Sequence, residues 1–265
     1  MTPLRPSLIA LSLAVAGCAT TPSPQEQAMI DDTVAQKSIV AASASEREAV
    51  SKLSALERAT FWNREYELNP ADKQAAAEYA TALRQIGNAE RGAQIAEQAL
   101  SMHPEDPGLL MAFGAARIDE GRAPAAIDPL TRAANARAGE WKPWSLLGVA
   151  HDMLEEYDLA RARYERALSL SPNQPSVLSN LAMNRLQVGE VEEAERLLRQ
   201  ALAAGNPPPQ ARQNLAMVLA LQGRFDEAER YALIDVPALA AEANLDYVKS
   251  LLTRPNRWDD LREGG

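Results

Sequence analysis

Small residues recur in this chain at a fixed interval of 34: Ala80, Gly114, Gly148, Ala182 and Ala216. A second series, Gly92, Ala126, Ala160, Ala194 and Ala228, keeps the same beat. A period held five times demands a stacked array of like units, because each unit leaves an apolar face that only its neighbour can cover. Begun at Lys73, Pro107, Trp141, Pro175 and Pro209, the units span 73–106, 107–140, 141–174, 175–208 and 209–242. The two small series then occupy unit positions 8 and 20. Position 7 is bulky throughout (Tyr79, Phe113, Leu147, Leu181, Leu215). Position 15 is Gly87, Gly121, Glu155, Gly189 or Gly223.

These residue types describe a helix-turn-helix. Nothing larger than alanine at positions 8 and 20 lets two antiparallel helices cross closely, and the bulky neighbours fill the space around the crossing. Glycine after the first helix takes the left-handed cap, and proline after the second stops it. Alanine holds position 27 (Ala99, Ala133, Ala167, Ala201) until Asp235, and proline holds position 32 at Pro104 and Pro172. The third unit carries the fullest set: Trp144, Leu147, Gly148, Ala160, Tyr164, Ala167 and Pro172. This pattern resembles the tetratricopeptide repeat (TPR), whose period is about 34 residues. The expected fold is an all-α TPR solenoid, an α-α superhelix of about five repeats with capping helices at both ends.

The amino terminus reads differently. Arg5 precedes an apolar run at 8–16, too short to span a bilayer but suited to a secretory signal, and the run ends in Val15-Ala16-Gly17-Cys18. That resembles a bacterial lipobox, with a signal peptide at 1–17 and a lipidated Cys18 as first mature residue. Cys18 is the only cysteine, so an intramolecular disulfide is excluded. Ordinary cleavage after Ala14-Val15-Ala16, leaving a free thiol, is the competing reading. Acyl chains contributing about 0.8 kcal/mol per methylene would hold the protein at a membrane. Ala19 in place of an aspartate directs such a lipoprotein to the outer membrane by the usual sorting rule, on its periplasmic face.

Residues 18–44 form the expected flexible tether, rich in Thr, Ser, Pro and Gln near its start. A helix is expected from Ser45 to the end of a degenerate unit at 45–72, with Ser45 and Glu48 as a capping box and Val50, Leu53 and Leu56 on one face. At the other end, Leu245, Val248, Leu251 and Leu252 mark a capping helix over 238–252, followed by a loose tail at 253–265.

The formal net charge of −9 becomes −10 once Arg5 leaves with the signal, and a nucleic-acid groove is usually basic, so nucleic acid is not an expected partner. Catalysis has no candidate set. Phosphate loops, nucleophile elbows and metal motifs are missing from the sequence, and no cofactor or metal is expected. His103 is expected at a helix C-terminus and His151 at a packing position; His151, Asp152, Glu155 and Glu156 do not make a convergent ligand set. Glu192, Glu193 and Glu195 read as a solvated helix face.

In TPR arrays the first helix of each unit lines the concave face through positions 2, 5, 9 and 12, with position 6 at its margin. Here position 9 is Thr81, Ala115, Val149, Met183 and Met217, a mostly apolar track. Met111, Ile118 and Leu186 widen it, and Asn180 and Asn214 at position 6 are suited to hydrogen-bond an extended ligand. Methionine adapts to varied partner shapes. The alternative for any one of these residues is packing against adjacent helices. Lys142 at position 2 has no basic companions, so the carboxylate clamp of some chaperone-binding TPR domains is not expected.

A narrower likeness lies near the carboxyl terminus. Residues 214–229, containing Leu221-Gln222-Gly223-Arg224-Phe225, together with Asp235-Val236-Pro237 and Asn244-Leu245-Asp246-Tyr247, resemble TadD proteins, TPR lipoproteins of the tight-adherence (Tad/Flp) pilus assembly system. The resemblance implies an outer-membrane scaffold or pilotin-like factor that binds the secretin channel or its neighbours, and it carries over a defined role only for Cys18. A lipoprotein of another envelope machine, such as a type IV pilus pilotin or a regulator of cell-wall synthesis, is the alternative.

Overall fold

The computed structural model describes residues 40–205 and 207–235, with Ala240, Ala243, Asp246 and Lys249 beyond them. The signal at 1–17, Cys18, the tether up to residue 39, most of 238–252 and the tail at 253–265 lie outside the described residues. Among the described residues, twelve α-helices lie between 44 and 232. A short pair comes first, α1 (Ala44–Ala49) and α2 (Ala55–Leu68). Five antiparallel pairs follow: α3 (Lys73–Gln85) with α4 (Ala89–Leu100), α5 (Pro107–Asp119) with α6 (Ala123–Ala136), α7 (Trp141–Met153) with α8 (Tyr157–Leu170), α9 (Pro175–Gln187) with α10 (Val191–Ala203), and α11 (Pro209–Leu221) with α12 (Phe225–Ala232). Ala240, Ala243, Asp246 and Lys249 are helical, and the Lys249 ammonium stands 5.2 Å from the centre of the Phe225 ring.

From α2 onward, each helix packs on its neighbours in the chain, and α1 joins α2 through the short turn at Val50–Lys52. First helices also touch the first helix of the next unit, whereas second helices of successive units meet only through side chains, as where Arg199 on α10 binds Glu227 on α12 at 2.5 Å. The array therefore curves with its first helices inside and its second helices outside. Local chemistry starts each inner helix. Asp72 and Asp106 accept hydrogen bonds from the free amides of Gln74 and Ala75, and of Gly108 and Leu109, at 2.9–3.1 Å, while proline opens α5, α9 and α11 where an amide would have no partner.

The small positions do what their spacing requires. Ala80, Ala182, Ala126, Ala160, Ala194 and Ala228 are fully buried at the crossings. A methyl group on Gly92 would come within 2.7 Å of the Ala80 carbonyl oxygen, and one on Gly148 within 2.4 Å of the Tyr164 ring. In units 2 and 3 a glycine at position 8 makes room for a large residue at position 24: Gly148 faces Tyr164 and Gly114 faces Leu130.

The expected single helix from Ser45 is instead two elements, and the capping box lies elsewhere. Ser43 pairs with Glu46 to start α1, and Ser54 pairs with Glu57 to start α2. Leu53 between them is extended, because the Ser54 hydroxyl and amide both donate to the Glu57 carboxylate and begin a new helix. Consequently only Val50 of the proposed apolar face is buried, and Leu53 and Leu56 are 40% and 66% exposed. Arg47 binds Glu65 at 2.8 Å and Asp72 at 2.7 Å, fastening this entry segment to α2 and to the head of α3.

Between the helices of units 1, 2, 4 and 5, glycine takes φ of 75–85°. In unit 3 the same role falls to Glu155 at φ 60°. The left-handed conformation brings its Cβ against the backbone, and the exposed side chain gains nothing in return. Glu155→Gly is expected to raise the unfolding free energy by about 0.5–1 kcal/mol, measured by urea denaturation; a loss of stability would show that the side chain has an unrecognised partner.

Candidate partner-binding groove

The inner helices present their concave positions in order along the array, and the track changes character from one end to the other. In units 1 and 2 it is polar. Lys73, Gln74, Ala77, Glu78, Thr81, Asp106, Gly108, Met111 and Arg137 line a cleft of about 370 Å³ between α3 and α5. Lys73 binds Asp106 across it at 3.0 Å, and the glycine at position 108 leaves space beside the Arg137 guanidinium. Thr81, half-buried here, donates to the Ala77 carbonyl.

Within unit 2 the track closes over. Ala115 and Ile118 are 5% and 8% exposed and belong to the core, so they offer almost no surface to a ligand. Tight packing of α5 against its neighbours covers what the sequence pattern placed on the groove. Met111, Val149 and Leu186 are half-buried and pack on the core with one side. Met183 and Met217 are also half-buried, yet they join none of the three core clusters. Of the predicted asparagines, Asn214 donates to Ser179 of the preceding unit at 3.2 Å, while Asn180 has no hydrogen-bond partner among the described residues. The groove of units 4 and 5 therefore carries two uncommitted methionines beside one uncommitted amide.

At the junction of units 3 and 4 lies a buried polar cluster that periodicity did not reveal. Asp152 on α7 accepts from the Tyr164 hydroxyl at 2.7 Å and from the Asn184 amide at 2.5 Å. Asn184, 1% exposed, also donates to the Tyr157 carbonyl, and its own carbonyl oxygen accepts from Arg185. Arg185 reaches Glu190 at 3.2 Å, and His151 holds Glu156 at 2.6 Å. His151, Asp152 and Glu156 are thus engaged in separate hydrogen bonds, and among the described residues no group of three His, Cys, Asp or Glu side chains converges on a metal position. The expected contact of His103 with its own helix end is replaced by one from Nε2 to the Ala71 carbonyl oxygen in the preceding turn, at 2.9 Å.

Burial pushes the Asp152 carboxyl above the usual aspartate range, against the lowering effect of Asn184, Tyr164, Arg185 and His151. A raised pKa means that the native state binds the proton more readily than the unfolded chain, so this group's contribution to stability falls as pH rises from the unfolded value of about 3.9 through the raised native one. The unfolding free energy of the parent minus that of Asp152→Asn is expected to shrink from pH 4.5 to pH 7, as read by chemical denaturation; a constant difference would place the carboxylate in a solvated site.

Comparison with known proteins agrees with this geometry. Family models described as tetratricopeptide repeat match residues 153–212 and 209–232. A search of curated proteins by sequence returns no match. Among solved structures, a thermophilic TPR protein of Thermus thermophilus is similar over 66% of this chain and 98% of its own, at 19% identity and a TM-score of 0.60. The APC/C hetero-tetramer Cut9–Hcn1 matches 76% of this chain over 41% of its own, at 16% identity and 0.66. PilF of Pseudomonas aeruginosa matches 71% of this chain and 83% of its own, at 17% identity and 0.53. The fold is an all-helical TPR solenoid. Solenoids of this kind are scaffolds for protein–protein interaction, typically without catalysis.

Proposed function

We propose that this protein is an outer-membrane lipoprotein that uses its TPR groove to capture protein components of Tad/Flp pilus assembly, as a scaffold or pilotin-like factor for the secretin channel or its neighbours. The observation that carries the binding half is the pair Met183 and Met217, half-exposed on consecutive inner helices and outside every core cluster. Flexible thioethers free of internal packing duties suit a surface that accepts an apolar segment. Support for the pilus assignment comes from the likeness of residues 214–229 and the Asn244-Leu245-Asp246-Tyr247 stretch to TadD proteins. Support for the anchor comes from Val15-Ala16-Gly17-Cys18 after an apolar run. Lipid at Cys18 would confine the groove to the periplasmic face of the outer membrane, where shared confinement raises the effective concentration of partners and lets a modest groove affinity suffice.

A photo-cross-linker placed at Met183 in intact cells of the native host tests the partner. Adducts with the secretin or adjacent assembly proteins are expected, and adducts only with unrelated envelope proteins would move the protein to another machine. Mass spectrometry of the same material is expected to find Cys18 acylated; a bare thiol removes the anchor.

A further inference from the structure

The 34-residue register gives the junctions between units a common contact. Position 12 of one unit lies beside position 10 of the next. At the second junction this pair is Ile118 and Ala150, both in one apolar cluster. At the fourth it is Leu186 and Val218, again within one apolar cluster. At the third it is Asp152 and Asn184, joined by a hydrogen bond of 2.5 Å. The apolar core is continuous here: Tyr164 and Leu178 share one cluster, and Trp144 and Val149 on α7 pack both on it and on the cluster containing Ile118 and Leu147.

Directional contacts differ from apolar ones in what they fix. Apolar surfaces slide over one another at little cost, whereas a carboxylate that accepts from donors on two different helices holds both in one orientation. Asp152 joins α7 to α8 through Tyr164 and to α9 through Asn184, and Asn184 returns to α8 at the Tyr157 carbonyl. Met183, at position 9 of unit 4, stands one position before Asn184, so a rotation at this contact changes how it lines up with Val149, at position 9 of unit 3.

We infer that the Asp152–Asn184 pair is a joint that sets the angle between units 3 and 4 and thereby the curvature of the groove. The two side chains are positioning residues; that their setting governs partner capture rests on the groove reading above, whereas the joint itself does not. Breaking the pair leaves the apolar packing of α8 on units 4 and 5 in place and removes the directional contact that fixes the angle of units 4 and 5 against α7. Because each unit contacts only its neighbours, a small rotation here displaces the far end without being absorbed along the way.

The test uses the full chain with Cys18→Ser and pairs of spin-labelled cysteines at exposed positions. One pair, at Lys142 and Gln210, straddles the joint, and a control pair, at Glu78 and Lys142, does not. Asn184→Ala and Asp152→Leu are expected to shift or broaden the 142–210 distance distribution by about 2 Å or more while 78–142 stays fixed. Unchanged 142–210 distances in both single variants, or equal changes in both label pairs, would overturn the joint. Altered distances with unaltered partner capture would leave the joint standing and remove the groove.

Discussion

Tyr164→Ala is expected to lower the unfolding free energy by about 3–5 kcal/mol, the range for removing a buried aromatic ring. The ring is 1% exposed, fills the space that the missing Gly148 side chain leaves, and its hydroxyl is one of two side-chain donors to Asp152. Burial and the neighbouring carboxylate push the phenol pKa far up, so it remains a donor at all accessible pH. Tyr164→Phe separates the two roles. It keeps the volume and strips the carboxylate of a partner, for an expected cost of about 1–3 kcal/mol. Urea titration followed by tryptophan fluorescence reads both variants, since Trp141 and Trp144 pack on the same cluster. A cost below about 1 kcal/mol for Tyr164→Ala would mean that the junction collapses onto the vacated space.

The second large effect concerns binding. Met183→Glu combined with Met217→Glu is expected to weaken partner capture by a hundredfold or more, since burying each side chain contributes about 1.5–3 kcal/mol and about 1.4 kcal/mol is a factor of ten. Helix content should be unchanged, because neither side chain packs into a core cluster. Co-purification of the cross-linked partner with the double variant at parent level would exclude this stretch of groove. Substituting Ala115 or Ile118 instead is a poor probe, because their burial makes any loss of binding a loss of fold.

The sequence carried most of the architecture because the constraint that builds it is steric and repeats. Small residues at positions 8 and 20 have one use in a helical array, and glycine at position 15 appears where φ is positive. Three things escaped this logic. The break before Ser54 did, because a capping box is a local contest between two serines and two glutamates, and either Ser45–Glu48 or Ser54–Glu57 satisfies the pattern on paper. The burial of Ala115 and Ile118 did, because how tightly two neighbouring inner helices close is a tertiary matter that position numbers do not encode. The Asp152 cluster did as well, although a signal existed: an aspartate at position 12 followed by an asparagine at position 10 of the next unit departs from the apolar pairs of the second and fourth junctions. His151 and its acidic neighbours drew attention as ligands, when the informative partner lay 32 residues further on.

Second helices that meet only through long side chains, such as Arg199 with Glu227, leave the outer side of the array more loosely joined than the inner one. Tightening or relaxing the curve narrows or widens the gaps between them, so the elastic cost of bending falls mostly on the inner row. Such an object behaves as a leaf spring: a captured chain would be met by a compliant surface that adjusts its radius to the cargo, and tension along the long axis would be taken up by gradual straightening before any single repeat gave way.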